Sequence, residues 1–207
     1  MVDDFDLGES PWPRTGDDPF ELVGGSRLVA CLNFTHDEPW IGYTEGFKRL
    51  ADVGVAHIEE TGHGHDFLVY PIVYAYRHHI ELSLKLIIRA ARMLLDKPGG
   101  VPKTHNLLRL WHTAEPLLRR IGGSEETFQD VRDCLTRFDA LDPSSESFRY
   151  PVTATGDPAL PGVYNVDLGQ VRAVVERLSM FLDCAARDTL VRLDAKSEME
   201  QAYEGLW

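Results

Sequence analysis

From residue 40 onward, apolar positions recur every three or four residues, the spacing of one face of a helix. Between Trp40 and Thr61 the stripe is Ile41, Phe47, Leu50, Val53 (or Gly54) and Ile58, and Gly62-His63-Gly64 ends it. A second stripe, Val69, Val73, Tyr76, Ile80, Leu84, Ile87 and Leu94, predicts a helix from about Asp66 to Leu95, with Pro71 in its first turns. The connector Lys97-Pro98-Gly99-Gly100-Val101-Pro102 breaks the pattern. A third helix opens at Thr104-His105, with the Thr104 hydroxyl as its cap. Leu107, Leu108, Trp111 and Leu118 form its apolar side, Pro116 is expected to kink or restart it, and Gly122-Gly123 ends it. Ser124 caps a fourth helix, whose core face is Phe128, Val131, Leu135 and Phe138. The last helix starts with a capping pair, Asp167 and Gln170. It carries Val171, Val174, Leu178, Phe181, Leu182, Ala185, Leu190 and Leu193 toward Tyr203.

Two stretches lack this periodicity. Residues 1–39 mix Asp, Gly, Pro and Ser with few apolar anchors and read as an irregular arm. Arg27 to Phe34 alternates weakly and predicts a short strand or an extended segment, Phe5, Trp12 and Phe20 are candidate anchors, and Asp37-Glu38-Pro39 signals the first helix start. Asp142 to Asn165 is a long turn-rich segment, and loops of that length are often functional. The expected fold is therefore all-α: an up-and-down bundle of four to five main helices over residues 40–207, preceded by the irregular arm.

The polar positions add chemistry. Arg77, Glu81, Lys85 and Arg89 follow one another at i, i+4 and so share a helix face. That face is either an exposed ion-pair ladder, each step worth about 0.3–0.5 kcal/mol, or the wall of a cleft. The whole chain carries −12, which excludes bulk attraction to nucleic acid or an anionic membrane. From Arg77 to Arg120, nine Lys/Arg against three acids give +6, so the remainder sums to −18. His78, His79, His105 and His112 lie inside this basic stretch. Such a centre suits a small anionic ligand or an RNA end, or else it balances acidic faces beside it. Cys31, Cys134 and Cys184 are far apart and read as small core residues in a reducing, cytoplasmic protein. The first residues form no secretory signal, and no run is apolar enough to span a membrane.

The pattern Glu81-Leu82-x-Leu84-Lys85, a connector, Thr104-His105-Asn106-Leu107, then Arg149-Tyr150-Pro151 before a final long helix resembles the HEPN domains. The likeness covers roughly Val69 to Ala186. It implies a helical bundle, a homodimer, and a role in prokaryotic toxin–antitoxin, abortive-infection or nucleotidyltransferase-linked systems, with a cognate antitoxin-like protein as a possible partner. Many HEPN domains are metal-independent ribonucleases with an Arg and a later His separated by four to six residues. No Arg of this chain has a His at that spacing, so the catalytic pair does not carry over.

Metal-independent RNA cleavage needs a base, an acid and a cation on the phosphate. His78 or His79 with Arg77, and His105 or His112 with Lys85, are the right residue types. Successive His78 and His79 point about 100° apart on a helix, so one of them at most faces a shared cleft. The expected site gathers Arg77, His78, Glu81, Lys85, His105, Arg149 and Tyr150. It would bind a nucleotide, RNA or partner protein without catalysis, with no metal and no cofactor; the alternative is a divergent metal-independent endoribonuclease. No HExxH spacing or similar ligand set supports a metal hydrolase.

Overall fold

The computed structural model describes residues 12–13, 15–22, 24–32, 39–122 and 125–204. The chain divides into two compact units, Met1–Phe34 and Thr35–Trp207. In the first, the described residues form turns, with Asp18 Oδ1 accepting from the Phe20 amide at 2.9 Å and Ser26 Oγ from the Leu28 amide at 3.1 Å. The expected strand is absent over the described positions 27–32. Among the described residues no strand is present to pair with it, and a lone strand leaves its backbone groups unpaired. Phe5, Asp37, Glu38 and positions 33–34 lie outside the described residues.

Among the described residues, the second unit holds five helices: α1 Pro39–Thr61, α2 His65–Leu94, α3 Leu107–Ile121, α4 Glu125–Leu141 and α5 Leu168–Glu204. The all-helical expectation stands, and the predicted spans agree with these to within a few residues. The cap of α3 differs. It is Asn106, whose side chain accepts from the Arg109 amide at 2.8 Å, while Thr104 Oγ1 accepts from the Asn106 amide. Pro116 sits inside α3 without dividing it. Ser124 is not among the described residues. At the start of α5, Asp167 Oδ1 accepts from the Gln170 amide at 3.0 Å, as the capping pair predicts.

α2 is the central helix, packed against α1, α3 and α5. It is buried nearly all round, with Tyr76, Ile80, Leu84, Ile87 and Ile88 out of water. α1 runs antiparallel to it: Asp52 Oδ1 accepts from Tyr76 OH at 2.7 Å, and eight residues earlier the Thr44 carbonyl meets His79. The helices approach closely at Gly54, where a Cβ would stand 2.8 Å from Ile72. That approach turns α1 on Thr44, Ala51 and Val55, so the expected core residues Leu50 and Val53 are exposed. α5 lies parallel to α2, with Ser179 beside His79 and Lys196 reaching the Leu94 carbonyl. Trp111, Phe128 and Phe181 join α3, α4 and α5 through edge-to-face contacts.

The up-and-down order breaks between α2 and α3. The start of α3 lies beside Glu81, halfway along α2. Its end, Leu118 to Gly122, faces residues 184–192 of α5, beside the C-terminal half of α2. α3 therefore advances in the same sense as α2. The connector has to travel back about 20 Å, well within the reach of its eleven or so extended residues.

Cys31 and Cys184 are exposed, and only Cys134 packs against the core. Among the described residues, no helix is long and apolar enough to cross a membrane.

Candidate functional site

Spacing alone places Arg77, Glu81 and Lys85 on one stripe of α2. That stripe is covered by two later segments: the approach to α3 and the loop that follows α4. The ladder is therefore buried. Arg77 and Glu81 are 0% exposed, and Lys85 is 9% exposed.

Arg77 is fully engaged. Its Nη1 donates to Glu81 Oε2 at 3.3 Å, its Nη2 to the His105 carbonyl at 2.8 Å, and its Nε to the Asp142 carbonyl at 3.0 Å. Asp142 Oδ2 lies 3.4 Å from the same Nε but off the line of its N–H, and accepts no hydrogen bond. Asp142 Oδ1 accepts from the Glu146 and Ser147 amides. One guanidinium thus ties α2, the entry to α3 and the loop after α4 together, and no face of it remains for a ligand. Arg77 is a framework residue, which corrects its expected role at the ligand.

Glu81 collects the rest. Its Oε1 accepts from Lys85 Nζ at 2.7 Å and lies 2.9 Å from His105 Nδ1. The His105 side chain is 61% exposed although its carboxylate partner is buried. With Nδ1 held by Glu81, Nε2 is the nitrogen left for solvent or ligand.

His78 and His79 diverge, as two successive helical positions must. His79 is buried between Thr44 O at 2.9 Å and Ser179 Oγ at 2.7 Å, and burial holds its pKa below the usual histidine value. It bolts α1 and α5 to α2. His78 is half-buried in an aromatic group, stacked on Tyr74 at 5.6 Å and edge-on to Phe47 at 4.4 Å. Burial lowers its pKa as well; the Glu81 charge opposes this, and Lys85, His105 and Arg77 add to it. His112 is exposed on α3, apart from this group.

Arg149 and Tyr150 fold back from the long loop onto the same stretch of α2. The Arg149 guanidinium lies 5.7 Å from the Tyr74 ring centre and 5.1 Å from that of Tyr150, and Nη2 donates to Tyr150 OH at 3.2 Å. It makes no ion pair among the described residues. Beside it opens a cleft of about 510 Å³, bounded by Tyr70, by residues 147–151 and 158–160, and by Val163.

The seven expected residues thus lie along one side of α2, in two linked groups. Arg77, Glu81, Lys85 and His105 are hydrogen-bonded. His78 and Arg149 meet at Tyr74, which the sequence reading missed, and Tyr150 joins them through Arg149. Its signal was present in the i, i+4 run Tyr70, Tyr74, His78. Asp142 and the cap Asn106 were missed too. Asn106 Nδ2 donates to Asp139 Oδ2 at 2.7 Å, so it also locks α3 to α4.

The local positive charge is partly spent inside the bundle. Glu115 takes Arg119 and Arg132, which outweigh the opposing effect of burial and hold its carboxyl below the usual range. Lys103, Arg109 and Arg120 remain exposed. Among the described residues, no group of three or more His, Cys, Asp or Glu is placed to hold a metal ion.

No family model, no curated protein and no solved structure matches the chain.

Proposed function

We propose that this chain is a HEPN-like binding module that takes the phosphate of a nucleotide or RNA on the His105–Arg149 side of α2. The observation that carries the reading is the contrast at Glu81. This buried carboxylate orients an exposed imidazole, while a guanidinium without an acid partner among the described residues and two tyrosine rings lie on the same side of the helix. Nε2 of His105 and the Arg149 fork reach solvent and suit phosphate oxygens. The tyrosines suit a base. The net charge of −12 restricts the contact to one locality.

The test is a titration of labelled single-stranded RNA and of nucleotides with chelator present. Binding should weaken as salt rises, because phosphate contacts release counterions. His105→Ala should weaken it while the far-UV spectrum stays unchanged. Absence of binding to both probes would defeat the proposal and leave a module for a protein partner, such as an antitoxin-like protein with an acidic surface.

The Glu81–His105 pair also favours a second reading, a divergent metal-independent endoribonuclease. A carboxylate that holds Nδ1 leaves Nε2 positioned as a base. We favour binding because the other expected participants are committed elsewhere: Arg77 is buried with each nitrogen hydrogen-bonded, and His78 is packed among rings. RNA cleavage in chelator, lost on His105→Ala, would decide for the nuclease. A homodimer belongs to the same proposal. Phe67, at 83% exposure, and the exposed Tyr43, Leu50 and Val53 are apolar surface for it. Light scattering at micromolar concentration reads the outcome.

A further inference from the structure

We propose that the cleft between Tyr70 of α2 and the 147–163 loop holds the base of a single nucleotide, with its phosphate on Arg149. This rests on the nucleotide-binding reading above and names its ligand class and subsite.

The walls have the right chemistry. Tyr70 and Tyr150, 49% and 50% exposed, present aromatic surface to the cleft. Pro151, Pro158, Leu160 and Val163 add apolar wall, and the buried Phe148 anchors the loop in the core. Among the described residues, Arg149 is the sole charged residue that bounds the cleft. At about 510 Å³ the space falls within the usual range for small-molecule sites, about 300–1,000 Å³.

The loop is also preformed. The Ala159 amide donates to the Pro151 carbonyl at 3.1 Å, and the Thr153 amide to the Asp157 carbonyl at 2.8 Å. Val152 and Pro158 form an antiparallel bridge. The Arg149 and Tyr150 amides both donate to the Glu146 carbonyl. Prolines 151, 158 and 161 fix φ along this path. A site ordered before binding loses less entropy when the ligand arrives.

Charge selects the class of ligand. Arg149 has no carboxylate partner among the described residues. Of the acids of its loop, Asp157 is taken by the Thr155 hydroxyl at 2.8 Å, and Asp142 Oδ1 by the Glu146 and Ser147 amides. A guanidinium stacked on tyrosines keeps its outer N–H groups for a phosphate. The acidic remainder of the chain repels a long polyanion, so one phosphate with one base fits better than a continuous strand. The nucleotide can be free or the terminal unit of an RNA.

The experiment is calorimetry on the full chain with AMP, CMP, adenosine, inorganic phosphate and a 5′-phosphorylated single-stranded RNA. The expected result is that nucleotides bind more tightly than adenosine or phosphate. Val163→Trp, which fills the cleft, should weaken them roughly ten-fold, the loss of about one base-stacking contact. Tyr70→Ala, at a half-exposed side chain, should act in the same direction should Val163→Trp fail to fold. Arg149→Met should abolish the preference for AMP over adenosine. Free nucleotides that displace the RNA identify the free nucleotide as a ligand; binding confined to an RNA with a free end identifies the terminal nucleotide. Nucleotide binding of equal strength in the wild type, Val163→Trp and Tyr70→Ala would overturn the cleft while leaving the binding function standing. A closed hairpin that binds as well as an open strand would also overturn it. Absence of binding to every probe would remove both.

Discussion

Arg77 and Arg149 are the same residue type on the same side of one helix, and they do opposite work. Arg77 is out of water, with each guanidinium nitrogen donating to a carboxylate or a carbonyl. Arg149 is in water, lying over two rings and, among the described residues, without an acid partner. A cation can stay in a core only when its partners replace its hydration. The replacement that keeps Arg77 folded also removes it from ligand chemistry. The exposed arginine contributes little to stability and is free to act. A basic stretch in a sequence therefore mixes framework cations with functional ones, and burial separates them.

The contrast is broken most directly at Arg77. Arg77→Ala leaves Glu81 and Asp142 buried with less compensation and should cost about 3–5 kcal/mol in urea unfolding. The pair Arg77→Met with Glu81→Leu should cost less than Arg77→Ala alone, because no uncompensated charge stays behind. Equal loss in both would show that packing, not charge, is what Arg77 supplies.

A smaller loss is expected where α1 meets α2. Gly54→Ala puts a methyl 2.8 Å from Ile72 and should destabilise by about 1–3 kcal/mol. Thermal unfolding measures it, and an unchanged midpoint would mean the helices separate freely there.

Acid should weaken the fold through His79. Burial depresses its pKa in the folded chain, so the unfolded chain takes up the proton first as pH falls below about 6.5. Stability is then retained above that pH and declines below it; the depressed His78 adds in the same direction. Replacing His79 by Gln, which keeps hydrogen-bonding capacity, should flatten this part of the pH profile in denaturant titrations. An unaltered slope would place the effect elsewhere.

The smallest stability change belongs to Arg149→Ala, within about 0.5 kcal/mol, since the side chain is exposed. Its effect should appear in nucleotide affinity instead. A large loss of stability would make Arg149 a second framework arginine and erase the comparison.

The helices were legible in the sequence because apolar period and turn residues act locally. Gly62 to Gly64, the 97–102 connector and the Asp167 cap all fall where the pattern ends. The grouping of Arg77, Glu81 and Lys85 on one face was equally legible, since it follows from i, i+4 spacing. What covers that face was not. Asp142 lies 65 residues beyond Arg77, and His105 lies 24 beyond Glu81. Nothing local distinguishes a stripe facing water from one roofed by a returning loop. For the same reason Leu50 and Val53 read as core yet lie in water: the close approach at Gly54 turns α1 on its small residues. The all-helical class, the helix limits to within a few residues and the shared face of Arg77, Glu81 and Lys85 were thus determined by the sequence alone. Tertiary structure decided the burial of Arg77, the exposure of His105 and Arg149, and the parallel course of α3. Side-chain chemistry and spacing are properties of neighbours in sequence, whereas burial is set by segments that meet only once the chain has folded.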